Sequence, residues 1–265
     1  MMICSEQIKI LVEPEFGGRI TNLSRILGQE WLAPAHAPLV ARSVGEVYIR
    51  PEMGGWDEMC PTTDQCIGFD GRDLPDHGEA WSRSWEVIQK SNSSLTLSLD
   101  LITRPLRLIR KINISVNEVL LSYSIENIGN SSTPIFWSAH PLFDATEIVE
   151  VVLLPKDIIN KELLAVNFLK GTSAEHWISP GLLINRVELY KSNKEKLSIS
   201  WDNQEIPYFG IFIDNGEYCF DPVISPQPAI GHKVSEKNAY ESGNIEILLP
   251  GQVKKFELKL ELEKV

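Results

Sequence analysis

The sequence predicts an all-β protein of antiparallel strands, a sandwich or a barrel. Three observations predict it. Apolar residues alternate with polar ones along much of the chain, turn-forming residues punctuate those runs about every ten residues, and no long stretch shows apolar positions at helical spacing. The 265 residues are long enough to bury a sizeable core without staples, and they are read as a single domain spanning 1–265.

The alternation is clearest at 94–101 (SLTLSLDL), where Leu95, Leu97, Leu99 and Leu101 face one way and polar residues the other. Leu106, Leu108, Ile112, Ile114 and Val116 continue it, as do Leu121, Tyr123 and Ile125, then Leu197, Ile199 and Trp201. At the C-terminus, Phe256, Leu258, Leu260 and Leu262 oppose Glu257, Lys259, Glu261 and Glu263. Such runs mark strands with one buried and one wet face, as in antiparallel sheets. Ser91-Asn92-Ser93, Arg104-Pro105, Asn117-Glu118, Gly129-Asn130 and Pro250-Gly251 break them. Asp214-Asn215-Gly216, between IFI and EYCF, predicts a tight hairpin. A short helical turn is expected around 156–164.

Residues 34–83 and 221–243 do not alternate and are rich in Pro, Gly and polar residues. Long irregular segments in a compact protein are usually functional, and these contain Trp56, Trp81 and Trp85, so they are expected to be ordered loops that build a site. Trp31, Trp137 and Trp201 sit in strand-like runs and are expected in the core, whereas Trp56 and Trp81 could stack on a ligand ring.

The bulk numbers exclude several function classes. A formal net charge of −11 disfavours nucleic acid and anionic membrane surfaces. No apolar run approaches the ~20 residues of a membrane span, and no basic-then-apolar leader is visible, so the expected location is the cytoplasm. The four cysteines form no CxxC pair and read as reduced thiols. No P-loop, GxGxxG or zinc pattern is present, so no cofactor and no metal are expected.

Three residues stand in unusual settings. His77 lies in PDHGEAWSRSW, His140 in FWSAHPLF, and Asp221 in EYCFDPVISPQP. Proline follows both His140 and Asp221, so each is expected at a strand end. Singly, each has an ordinary structural reading. Together with their surroundings they resemble the aldose 1-epimerase, or galactose mutarotase-like, family. The resemblance is carried by FGGRITNL (16–23), GGWDEMCP (54–61) with DHGEAWSRSW (76–85), WSAHPLF (137–143), and YCFDPVISPQP (218–228) with ILLPGQ (247–252). These pieces occur in the family's order across nearly the whole chain.

That resemblance implies an all-β fold that is a large antiparallel β-sandwich, the galactose mutarotase-like supersandwich, with an open sugar-binding cleft. It also implies interconversion of the α and β anomers of a sugar, with no metal, nucleotide or covalent intermediate. By the same resemblance His77 would hold the sugar, His140 would act as general acid, and Asp221 would stand where the family usually has a glutamate base. Asp is one methylene shorter than Glu. Glu52 and Glu79 are therefore alternative carboxylates, and with them Trp56, Trp81 and Arg50 complete the candidate binding set. The partner implied is a small carbohydrate. Two other readings stay open: a non-catalytic carbohydrate-binding protein on the same scaffold, or a hexose-6-phosphate epimerase using Arg50 and Arg83 as an anion clamp.

Overall fold

Leu95, Leu97 and Leu99 are buried along one face of the strand Ser94–Asp100, as their spacing predicts. The same holds for Val119, Leu121, Tyr123 and Ile125 in Glu118–Asn127, and for Phe256, Leu258, Leu260 and Leu262 in Val253–Lys264. Burying each such side chain contributes about 1.5–3 kcal/mol, and the summed burial is what holds two sheets face to face. The computed structural model describes residues 1–48, 50–155, 170–232 and 235–265, with Arg50 described by its backbone alone. The turn expected around 156–164 lies outside the described residues.

Among the described residues, strands hold 50% and helices 3%. Two antiparallel eight-stranded sheets carry the fold. The first runs, edge to edge, through Met2–Cys4, Ile8–Glu13, Arg19–Arg25, Gly55–Met59, Trp137–Asp144, Val223–Ile230, Tyr208–Asp214 and Ser173–Trp177. The second runs through Ile148–Leu154, Arg186–Lys191, Glu195–Ser200, Val253–Lys264, Glu118–Asn127, Leu106–Ile114, Ser94–Asp100 and Glu86–Lys90. Their inner faces share one apolar cluster that reaches from Ile3 to Leu262. Tyr123 lies directly opposite Phe256 with their rings stacked at 5.0 Å, and Trp137 of the first sheet tilts onto both, so aromatic contact ties the layers together. Trp31, Trp137 and Trp201 are all buried. Among the described residues no disulfide joins the cysteines, and no helix is long and apolar enough to cross a membrane.

Two local expectations change. EYCF does not return as a strand after Asp214. The buried Asp214 carboxylate accepts the backbone N–H groups of Gly216, Glu217, Tyr218 and Cys219, which takes those donors away from any ladder. The chain loops instead, and pairing resumes only at Val223. His140 is likewise not at a strand end. Trp137–Asp144 runs through Pro141, with His140 opposite Asp57 and Pro141 opposite Trp56. On its other side the ladder to Val223–Ile230 is interrupted. Rungs join Ser138 to Ala229 and Phe143 to Ile224, with none between. Pro141, Pro226 and Pro228 fall in that interval, and a proline has no N–H to make a rung. The sheet therefore parts between two central strands.

Candidate active site

The central strand Gly55–Met59 is buried along its whole length. Successive side chains of a strand point to opposite faces, so Asp57 and Glu58 serve two different environments. Glu58 points between the sheets, where Arg110 Nη1 and the Tyr123 hydroxyl each donate to its Oε1 at 2.8 Å. Burial outweighs those partners and raises its pKa to about 7. Asp57 points the other way. It accepts hydrogen bonds from His140 Nδ1 at 2.8 Å and from the Tyr48 hydroxyl at 3.1 Å, and it pairs with Arg19 Nη2 at 3.0 Å. Burial would raise the Asp57 pKa, but Arg19, then His140 and His77, reverse the effect and hold it at about 2.

An ionised carboxylate can only accept, so His140 Nδ1 carries the proton and Nε2 is the nitrogen left for a ligand. Burial lowers the His140 pKa, and His77 and Arg19 add to that, while Asp57 opposes it; the net shift is downward. His140 is thus a neutral imidazole near pH 7.

His77 reaches the same place from a distant loop. Its backbone is left-handed, at φ 59, and its N–H donates to Thr63 O at 2.6 Å. The next residue must be glycine: a Cβ on Gly78 would stand 2.1 Å from Cys60 O. This pinch presses the loop onto the end of the central strand. Asp76 Oδ2 lies 3.0 Å from His77 Nδ1. Burial lowers the His77 pKa, but Asp76, with Asp57 and Asp64, outweighs it and the net shift is upward. The two imidazoles sit 5.1 Å apart, and Tyr48 packs edge-on against both. Two like side chains in contact are therefore driven in opposite protonation directions by their carboxylate neighbours.

They open onto a cavity of about 540 Å³. Its wall also contains Asp64, Asp76 and Glu175, and Gln227 beside the proline-interrupted ladder. Tyr218 and Cys219 join it from the loop that Asp214 ties down. Tyr218 is half exposed and offers a flat face at the rim.

The other residues singled out from the sequence are placed elsewhere. Asp221 is not in the wall; its carboxylate is 36% exposed and meets His36 Nε2 at 2.6 Å. Glu79 is fully buried and accepts from the N–H groups of Ile102 and Thr103 and from the Thr103 hydroxyl, so it anchors a loop. Glu52 is buried in an ion pair with Arg42. Trp56 packs in the core and Trp81 lies beneath Tyr48, at 4.7 Å, so neither offers a face to a ligand in this cavity. Arg83 is held by Glu79 and by the Asp100 carbonyl. The Arg50 side chain lies outside the described residues. Sequence reasoning missed Tyr48, Asp57, Asp64, Glu175 and Gln227. Asp57 alone had a signal, as a charged residue next to the paired glycines of GGWDEMCP.

No protein-family model matches the sequence, and no curated protein matches it. Solved structures do. An Escherichia coli K12 protein proposed to be an aldose 1-epimerase is 15% identical, with a TM-score of 0.74 over 100% of this chain and 98% of its own. A galactose mutarotase related enzyme from Lactobacillus acidophilus is 15% identical, with a TM-score of 0.72 over 100% and 97%. A galactose mutarotase-like protein from Lactobacillus casei is 16% identical, with a TM-score of 0.71 over 99% of both chains. At these identities the likeness is one of fold, and the chain has the galactose mutarotase-like fold.

Proposed function

We propose that the protein is an isomerase that binds an aldose in the cavity beside His77 and His140 and interconverts its α and β anomers. The observation that carries this reading is the pair of imidazoles on one cavity, 5.1 Å apart and biased toward opposite protonation states. Titratable neighbours whose environments push their pKa values apart are the usual arrangement of an acid and a base. The fold shared with mutarotase-like structures supports the same reading.

Anomer exchange needs one proton delivered to the ring oxygen and one removed from the anomeric hydroxyl. Both oxygens are bonded to C1, so acid and base must be close neighbours. His77 gives a proton to the ring oxygen as the bond from C1 to that oxygen breaks and its electron pair moves onto oxygen. His140 Nε2 takes the hydroxyl proton, and the C1 carbonyl forms. Rotation about C1–C2 presents the other face, and the ring closes with both protons returned. Asp57 holds the His140 tautomer and stabilises the imidazolium that forms there; Asp76 favours the imidazolium from which His77 donates. In this reading His140 is the base for ring opening and the acid for closure. The role the resemblance gives to Asp221 passes to the Asp57–His140 pair. The reach of one apolar cluster from Ile3 to Leu262 supports the single-domain reading of 1–265.

Polarimetry on freshly dissolved α-glucose and α-galactose tests the activity. The expected result is loss of optical rotation faster than the spontaneous rate, and a fall of about 10²–10⁴-fold in the catalysed rate in His140→Ala. Sugar binding without acceleration would instead mark a non-catalytic carbohydrate-binding protein.

A further inference from the structure

We propose that the cavity takes a 2-deoxyaldose in preference to the same sugar with a hydroxyl on C2. This rests on the anomer-exchange reading above and names the substrate class of that same site. Three wall residues follow one another along the central strands. Gly78 bridges to Cys60, one residue past Met59, so His77 stands at the Met59 end of Gly55–Met59. Met59 lies opposite Ser138, Asp57 opposite His140, and Gly55 opposite Leu142. Along Trp137–Asp144 the order is therefore His77, His140, Leu142. Alternate residues of a strand share a face, so His140 and Leu142 point the same way, roughly 6.6 Å apart. Both line the cavity.

The wall changes character past His140. Leu142, Met53, Phe212 and Cys219 all line the cavity, and they pack as an apolar cluster apart from the core between the sheets. None of these side chains carries an oxygen or a nitrogen, and the Cys219 thiol meets Met53 Sδ at 3.9 Å. Asp57 stands beside His140, but a glycine stands beside Leu142. Met53 and Phe212 are partly exposed, so the cluster presents surface to a ligand. Glu175 lies opposite Phe212, but its strand is three places across the sheet from Leu142, roughly 14 Å away. The other end of the order is polar, with Asp76 against His77 and Asp64 in the wall.

In the proposed reaction His77 serves the ring oxygen and His140 the anomeric hydroxyl, both bonded to C1. Covalent geometry then sets the rest of the sugar. The C2 substituent projects past the anomeric hydroxyl, on the side away from the ring oxygen. C5 and its C6 group lie past the ring oxygen. With the two oxygens on the two histidines, C2 faces Leu142 and its neighbours, and C6 faces the carboxylates about His77. A hydroxyl on C2 would lose water there without gaining a partner, whereas a hydrogen suits the apolar wall. A hydroxyl on C6 meets acceptors.

The test measures anomer exchange by NMR for 2-deoxyglucose, glucose, 2-deoxygalactose, galactose and 6-deoxyglucose, with spontaneous rates subtracted. The expected result is a kcat/KM about ten- to a hundredfold higher for each 2-deoxy sugar than for its parent, the range in which an apolar pocket rejects an added hydroxyl. No gain is expected for 6-deoxyglucose. A site that hydrogen-bonds the C2 hydroxyl would give the opposite sign. Leu142→Asn and Met53→Gln each place an amide in the wall and should pull the ratio toward one. The sugar's own reactivity is the same with either protein, so that change reports the wall. Circular dichroism confirms folding, and either variant alone suffices if the other fails to fold. A ratio at or below one, a gain for 6-deoxyglucose as large as for 2-deoxyglucose, or a ratio that persists in the folded variants would overturn the inference while leaving the anomer-exchange reading intact. If no aldose is exchanged faster than background, that reading fails, and calorimetric titration decides the inference by itself. Tighter binding of 2-deoxyglucose than of glucose supports it; equal, weaker or undetectable binding overturns it.

Discussion

Replacing Asp57 with asparagine separates the two jobs that this carboxylate performs. As a structural anion it faces Arg19 and His140 inside the protein. Its pKa is held at about 2 against an ordinary 3.8, which corresponds to about 2 kcal/mol of folding stability. A depressed acid contributes that stability fully above pH 3.8 and loses it as pH falls through about 2. Removing the charge also leaves buried Arg19 without its carboxylate, so the total cost is about 3–5 kcal/mol. As a catalytic support, Asp57 makes Nδ1 the protonated nitrogen of His140. Asparagine can instead donate its amide N–H, which selects the tautomer with the proton on Nε2, and that nitrogen then cannot accept from a sugar. The expected outcome is a loss of at least about 10²-fold in catalysed anomer exchange, measured by polarimetry at a temperature where circular dichroism shows the variant still folded. A variant that is folded and retains the full rate would refute both the tautomer assignment and the role of His140 as base.

Four further outcomes follow from the same geometry. The rate should be bell-shaped in pH, because ring opening needs His140 neutral, with its pKa lowered below 6.5, and His77 charged, with its pKa raised above 6.5; a rate that climbs steadily through the alkaline side would remove His77 as the acid. The raised pKa of His77 also contributes stability that is full below pH 6.5 and is lost as pH rises through the folded value. Glu58, raised from 4.5 to about 7, favours the folded state when protonated, so it withdraws about 3 kcal/mol as pH rises across that window. Glu58→Gln should flatten the fall in Tm across that window, and parallel Tm curves for the two proteins would count against the assignment. Asp221→Asn should cost far less activity than Asp57→Asn, since Asp221 lies outside the cavity wall; the opposite ranking would restore the acid-Pro segment as the source of the base.

Much of the second sheet was legible in the sequence because Ser94–Asp100, Leu106–Ile114, Glu118–Asn127 and Val253–Lys264 each keep one face largely dry. The centre of the first sheet was not. Gly55–Met59 and Val223–Ile230 are buried on both faces, and they carry Asp57, Glu58, Pro226, Gln227 and Pro228 inside. No alternation marks such a strand, and charged residues and prolines read locally as loop. His77 and His140 could be singled out because each stands in a distinctive local segment. Glu175 could not, because it reaches the cavity from a short edge strand whose sequence, SAEHW, resembles any exposed hairpin. Asp221 misled for the converse reason. An acid before proline is a strong local signal, yet the turn built around Asp214 decides which side chains of that loop face inward.

The parting between Trp137–Asp144 and Val223–Ile230 has a kinetic consequence. Prolines remove three backbone donors from the interrupted interval, so the two strands have fewer bonds with which to zip together when the cavity is empty. A ligand meets a slot already at its working width and has no strand pair to pry apart. Association should therefore rise linearly with sugar concentration in stopped-flow fluorescence, with no plateau from a slow opening step. Restoring a donor at Pro141 or Pro226 should introduce one.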